Sequence, residues 1–239
     1  MQPLSDILTE GKLRASWGVV GNMPDGYYNH LSLYTAGMYN GFPANFPNQL
    51  GNDELSWEKN QTFNVGLDLT LYDRVSLSLD YYNKYTSDLL YFVKLSAITG
   101  YGGQWQNIGA VRNKGLEFTI DANLISMKDW NWNLSFNLAH NKNKIEELYG
   151  GLPQISGLRR FEEGRDMDDL WMAEWACVDP ETGAPQWYTT DEEGKRVLTD
   201  SYAEASNHQT YVGSAAPKVT GGFNTSLSWK DLTFTASFA

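Results

Sequence analysis

The stretch that decides the fold runs from Thr62 to Leu71 and reads Thr-Phe-Asn-Val-Gly-Leu-Asp-Leu-Thr-Leu. Apolar and polar residues alternate along it, so Phe63 and Leu67 share one side while Asn64 and Asp68 share the other. Successive side chains of a β-strand point to opposite faces. This period of two therefore predicts a strand with one apolar face and one polar face.

The same alternation recurs along the rest of the chain. It predicts seven strands, at residues 12–20, 58–71, 75–87, 110–125, 130–144, 217–229 and 232–239. Most of them are longer than the five or six residues that are usual in soluble sheets. A tilted strand needs about ten residues to cross an apolar band of about 25 Å, so these strands are long enough to span a membrane.

The connections between the predicted strands alternate between short and long. The short ones are 72–74, 126–129 and 230–231, and the long ones are 21–56, 88–109 and 145–216. Transmembrane β-barrels show this alternation, with short turns in the periplasm and long loops outside the cell. The fold class that we predict is all-β: an antiparallel up-and-down meander of about seven long strands, part of a transmembrane β-barrel.

Aromatic residues lie where the two edges of a membrane are expected. Trp130, Trp132 and Trp229 lie beside short turns on the apolar side, and Tyr85 lies near the opposite rim. Trp and Tyr favour the membrane interface because the ring is apolar while its polar tip reaches water.

Composition excludes other classes of protein. The formal net charge is 18 − 29 = −11, which disfavours binding to nucleic acid. No apolar stretch approaches the roughly 18 to 20 residues of a transmembrane helix. Cys177 is the single cysteine, so no internal disulfide can form. The first residues lack the features of a signal peptide, and we expect the chain to be part of a longer protein.

Several runs, taken together, resemble the SusC/RagA-type TonB-dependent outer-membrane transporters of Bacteroidetes. They occur in the order of that family, and they include Lys12–Asn22, Leu55–Asp68, Asp80–Lys84, Gln106–Gly109, Val111–Phe118, Val178–Gly183, Val212–Ser214 and Gly221–Phe223. The resemblance extends from residue 12 to residue 239.

The resemblance implies a plugged barrel of 22 strands in the cell outer membrane of a Gram-negative bacterium. Residues 1–239 would form part of the barrel domain, without the plug domain, the N-terminal strands and the final strands. The implied function is import of bulky nutrients. The implied partners are outer-membrane lipid, an oligosaccharide or peptide ligand, and, through the parent protein, a SusD-like lipoprotein and TonB.

The sequence contains no constellation typical of an enzyme. Its paired carboxylates are neighbours in polar segments rather than two groups set apart across a cleft. No serine occupies a nucleophile elbow, and the three histidines share no ligand spacing. We therefore predict no catalytic residue, no metal site and no cofactor.

The candidate ligand contacts are aromatic residues of the long connections. A flat ring can stack on the apolar face of a sugar while polar neighbours fix its orientation. The best candidates are Tyr101, Gln104 and Trp105 in the second long connection and Trp187 in the third. The alternative role for these rings is packing within the loops or against a lid partner.

A different protein class also fits the alternation. A secreted, soluble β-sandwich that binds glycans through loop aromatics would have similar strands, divided between two facing sheets. The arrangement of the strands in one sheet or in two distinguishes the two hypotheses.

Overall fold

The computed structural model describes residues 7–24 and 26–239. In this part of the chain the strands are β1 (Leu8–Asn22), β2 (Leu33–Tyr39), β3 (Phe42–Leu50), β4 (Glu58–Leu71), β5 (Val75–Ser87), β6 (Leu90–Lys94), β7 (Gly103–Asn107), β8 (Ala110–Ser126), β9 (Trp130–Glu147), β10 (Gln154–Ser156), β11 (Arg159–Phe161), β12 (Asp169–Met172), β13 (Trp175–Val178), β14 (Pro185–Thr190), β15 (Arg196–Thr199), β16 (Thr210–Ser214), β17 (Val219–Trp229) and β18 (Leu232–Phe238). The helical segments are α1 (Tyr202–Ala205) and the 3₁₀ turns Ala97–Thr99, Tyr149–Gly151 and Ser206–His208.

The chain forms two compact units. The first contains the residues up to 149 together with 218–239, and the second contains residues 150–217. None of the described helices is both long enough and apolar enough to cross a lipid bilayer.

Seven long strands of the first unit form one sheet, which we call the main sheet. Their order is β1-β4-β5-β8-β9-β17-β18, and every neighbouring pair is antiparallel. This confirms the predicted meander. The observed strands begin and end within a few residues of the predicted bounds. Because all seven strands share one sheet, the two facing sheets required by the β-sandwich alternative are not formed by them.

The register keeps the two faces of the main sheet continuous from strand to strand. Directly paired residues form one apolar row across five strands: Leu13, Leu67, Leu79, Phe118 and Leu138. The apolar side chains on this side are widely exposed, with Leu13 at 75% and Leu116 at 49%. We call this side the apolar face and the opposite side the polar face. So large an exposed apolar surface requires an apolar environment, as lipid would provide.

Tryptophans mark the short-turn end of the apolar face. Trp130 and Trp229 are directly paired, and their rings stack with centroids 5.7 Å apart. Trp132 Nε1 donates a hydrogen bond to Thr225 Oγ1 at 2.9 Å. Stacked Trp rings, with the neighbouring Trp132 indole N–H hydrogen-bonded, are typical of the boundary between lipid and water.

The long connections contain sheets of their own, which the sequence analysis did not predict. In the first unit β2-β3-β7-β6 form a four-stranded sheet, here called the loop sheet. In the second unit β10-β11-β12-β16 form one sheet and β13-β14-β15 form another. The β2–β3 hairpin turns at Asn40 and Gly41, whose φ values of 48° and 82° suit a tight hairpin turn.

The assignment of the apolar face predicts the effect of a charge on it. In the complete membrane-embedded protein, Phe118→Arg should destabilise the barrel by roughly 2–4 kcal/mol, because a guanidinium would enter the apolar band. The neighbouring Thr119→Ser, on the polar face, is the control and should have little effect. Urea unfolding in lipid vesicles measures both variants. Equal destabilisation by the two variants would contradict the assignment.

Candidate functional site

Trp105 lies in the β6–β7 hairpin of the loop sheet. It pairs directly with Phe92, and the two rings meet edge to face with centroids 5.4 Å apart. Its backbone oxygen accepts a hydrogen bond of 2.8 Å from Asn52 Nδ2. The half-buried indole is thus held by packing and by its backbone, which suits a rigid platform for a ligand.

Gln104 links two of the long connections. Its Nε2 donates to the backbone oxygen of Gly51 at 2.7 Å, and its Oε1 accepts from Gln106 Nε2 at 2.7 Å. Gln104 also pairs with Leu50 where β3 and β7 run parallel. Both ends of the amide therefore help to hold β7 in place, and the residue positions Trp105.

Tyr101 lies just before β7. Its hydroxyl is 3.4 Å from the hydroxyl of Tyr34 on β2. This hydrogen bond raises the pKa of the Tyr101 phenol above its usual range. Tyr34 is 59% exposed, so the two phenols form a polar tip on the loop sheet that solvent and solutes can reach.

Polar contacts attach the loop sheet to the rim of the main sheet. Lys59 Nζ and Asp88 Oδ2 form an ion pair of 2.8 Å, and Glu58 Oε1 accepts from the backbone nitrogen of Leu90 at 3.0 Å. Asn107 Oδ1 accepts from the backbone nitrogen of Ser56 at 2.7 Å. Tyr101, Gln104 and Trp105 are therefore brought together at the long-connection end of the main sheet.

Trp187 belongs to the second unit, where it forms an aromatic cluster. Its ring meets Trp175 at 5.9 Å and Tyr202 at 5.4 Å, both edge to face. Trp175 is 52% exposed and Tyr202 is 53% exposed. Tyr202, which lies in α1, was not among the residues predicted from the sequence. The sequence does contain a signal for the start of α1. Ser201 and Glu204 have the spacing of a capping box, and the Ser201 side chain accepts a hydrogen bond from the Glu204 backbone nitrogen.

A second aromatic group of the second unit surrounds Tyr211. Its hydroxyl donates to Glu162 Oε2 at 2.6 Å, and the Arg165 guanidinium lies 3.5 Å from its ring centroid. Burial, followed by the bond to Glu162, raises the pKa of Tyr211 to about 12. The phenol therefore stays protonated and serves as a hydrogen-bond donor that ties β16 to the segment after β11.

The polar face carries an ionic cluster centred on Arg14. Its Nε and Nη2 bind the two oxygens of Asp68 at 2.6 and 2.9 Å, and Nη2 also reaches Asp80 at 2.9 Å. Ser78 Oγ donates to Asp68 at 2.8 Å. Gly66 lies between Arg14 and Asp80 in the register, so the guanidinium crosses β4 where no side chain blocks it.

Metal ligands are not assembled in the part of the chain that the structure describes. No group of three or more His, Cys, Asp or Glu side chains there could hold a metal ion. The absence of metal and cofactor stays a prediction.

A long antiparallel meander with one exposed apolar face and one polar face is the wall of a transmembrane β-barrel. The family model described as TonB dependent receptor-like, β-barrel matches residues 4–238, and the chain belongs to this family. The predicted membership of the TonB-dependent transporters is thereby confirmed. Proteins of this family lie in the bacterial outer membrane, which confirms the predicted location.

Individual relatives agree with this assignment. TonB-dependent receptor P39 of Formosa agariphila is 38% identical over 162 residues, which are 67% of this chain and 16% of that protein. TonB-dependent receptor SusC of Bacteroides thetaiotaomicron is 37% identical over 159 residues, 61% of this chain and 16% of that protein. The solved RagAB peptide transporter has a TM-score of 0.82 at 33% identity and covers 98% of this chain and 27% of its own. The chain thus spans a minor part of these relatives' length.

The Arg14 cluster predicts that a side chain at position 66 would displace the Arg14 guanidinium from Asp80. A Cβ at this position would lie 2.6 Å from Arg14 Nη2 and would also collide with the Asp80 carboxylate. Gly66→Ala in the complete protein should therefore lower the urea midpoint of unfolding, because the guanidinium would have to leave its position between Asp68 and Asp80. Gly18→Ala is the matched control, because nothing lies within 4 Å of a Cβ there. Urea unfolding compares them, and equal stability of the two variants would refute the role of Gly66.

Proposed function

We propose that this chain is a barrel-wall segment of a TonB-dependent outer-membrane transporter that imports bulky nutrients, either glycans or peptides. The observation that carries the proposal is the seven-stranded meander with its continuous exposed apolar face, in a chain of this family. The role that we propose for the chain is transport rather than catalysis. Residues 1–239 form part of a barrel domain of 22 strands, and the plug domain and the other strands belong to the rest of a longer protein.

The names of similar proteins support import of large solutes. SusC is a TonB-dependent receptor, and the RagAB structure is described as a peptide transporter. Loops rich in aromatic and amide side chains suit either an oligosaccharide or a peptide, because rings stack on apolar surfaces while amides bind hydroxyl or peptide groups.

The partners that we propose are lipid, TonB and a SusD-like lipoprotein. Lipid covers the apolar face, and TonB acts through the plug of the longer protein. A SusD-like lipoprotein covers the long connections, where the β2–β3 hairpin exposes 72% of both Tyr39 and Phe42. Exposed aromatic side chains of this kind are typical of protein interfaces.

The ligand contacts that we propose are Tyr101, Gln104, Trp105 and Trp187. Trp105 is supported by the rigid packing of its indole on Phe92. Tyr101 offers a hydroxyl at an exposed tip, and Trp187 lies in a cluster whose outer rings are half-exposed. Gln104 contributes chiefly by holding the strand that carries Trp105.

This proposal predicts that Trp105→Ala in the complete transporter weakens uptake. Loss of an aromatic anchor commonly costs about 1 kcal/mol or more, which would raise the half-saturation concentration about fivefold. Uptake is titrated against ligand concentration at matched surface abundance, with barrel assembly checked separately. Trp105→Phe is the control and should retain most of the uptake because a ring remains. An unchanged half-saturation and maximum rate in the alanine variant would remove Trp105 from the site.

A further inference from the structure

Four basic residues end the apolar face at its long-connection edge. Arg112 and Lys114 lie on β8, in phase with Phe118, and Lys142 and Lys144 lie on β9, in phase with Leu138. Because alternate residues of a strand share a face, these cations project from the same side as the apolar residues. We call Arg112, Lys114, Lys142 and Lys144 the rim cluster.

The register places like charges directly opposite each other. Arg112 pairs with Lys144 and Lys114 pairs with Lys142. Such cross-strand pairs are destabilising unless an anion lies between them. Glu146 neutralises part of the first pair, since its two oxygens lie 2.8 Å from Arg112 Nε and 2.8 Å from Lys144 Nζ.

The second pair has no such counterion. Within residues 7–24 and 26–239, Lys114 and Lys142 form no ion pair, and both side chains are exposed. Four cations and one carboxylate leave an excess of three positive charges at this site in a chain whose net charge is −11. An external anion would relieve this repulsion.

The depth of the rim cluster identifies the kind of anion. Lys142 lies 12 residues after Trp130, which marks the short-turn boundary of the apolar face. At about 3.4 Å per residue and a tilt of about 40°, this segment climbs roughly 31 Å. Lys142 therefore lies just beyond the apolar band of about 25 Å, at the level of the lipid headgroups.

The opposite edge has no comparable excess of charge. Each short turn there contains one acid and one base: Asp73 with Arg74, Lys128 with Asp129, and Lys230 with Asp231. The positive excess is thus specific to the edge with the long connections, which faces the outside of the cell.

We propose that Lys114 and Lys142, flanked by Arg112 and Lys144, bind the phosphate of a lipid headgroup in the outer leaflet of the outer membrane. Basic residues beside a membrane attract anionic headgroups in this way. The acyl chains of the same lipid pack on the apolar residues below, beginning with Leu116 and Phe118. The inference goes beyond nutrient import and depends on the apolar face meeting lipid.

The test measures binding of diphosphoryl lipid A to the purified complete protein in nonionic detergent by native mass spectrometry. Wild type should bind it, and the double variant Lys114→Gln/Lys142→Gln should bind at least about tenfold more weakly. Lys114→Arg/Lys142→Arg keeps the charges and should keep the binding. Lys84→Gln/Lys128→Gln removes the same charge from the polar face and from a short turn, and it should bind like wild type.

Two further ligands distinguish a lipid site from a simple anion site. Dephosphorylated lipid A should bind weakly, and inorganic phosphate at equal concentration should neither bind detectably nor displace lipid A. The proposal is overturned if the glutamine variant binds like wild type, if the control loses as much affinity, or if either ligand matches lipid A. Thermal unfolding in lipid-free detergent provides a readout independent of affinity. There the glutamine variant should be at least as stable as wild type because the repulsion is gone, and a lower stability would also overturn the proposal.

Discussion

The register of backbone hydrogen bonds across seven antiparallel strands, which shifts only near strand ends in the described residues, determines which side chains share each face of the main sheet. A slip by one residue in the pairing of β4 with β5 would turn Leu79 to the polar face and carry Asp80 into the apolar environment. The register also explains two glycines. Gly66 lets Arg14 reach over β4 to Asp80, and a Cβ at Gly115 would collide with the Tyr82 ring, whose hydroxyl donates to Asn141. Glycine weakens a strand locally, and the polar bonds that cross it offset that loss.

The main sheet could be predicted from sequence because each of its strands repeats one strong, local pattern. Alternation over ten or more residues specifies both the strand and its faces, and short turns between such strands leave antiparallel neighbours as the simplest pairing. The sheets within the long connections lack this signal. Strands such as β10 and β11 have three residues each, too few to show a period. The β2–β3 hairpin did have a local signal, the dipeptide Asn40-Gly41, which is typical of a two-residue hairpin turn.

For the candidate site the sequence suggests residue types, whereas its geometry depends on contacts between distant segments. Exposed Trp and Tyr in long connections indicate binding surfaces whatever the pairing around them. In contrast, the bond between Gln104 and Gly51 and the bond between Asn52 and Trp105 each join residues 53 positions apart. They depend on a parallel pairing of β3 with β7 that leaves no trace in either segment alone. The sequence therefore supports Trp105 as a candidate ligand contact but does not reveal the contacts that hold it.

Two independent features indicate the orientation of the main sheet in the membrane: the lengths of the connections and the charges of the rim cluster. Connection length is a property of the chain between the strands, whereas the charges of the rim cluster belong to residues 112–144 within β8, β9 and their turn. Both single out the same edge, one by its long extracellular segments and the other by an excess of cations at headgroup depth. The polar face differs from the rim cluster in the sign of its charge. There Asp68 and Asp80 share the guanidinium of Arg14, so the two carboxylates exceed the one cation. Charge is thus distributed unevenly across the thickness of the sheet as well as along it: Asp68 and Asp80 lie on the polar face, and Lys114 and Lys142 lie where the apolar surface ends.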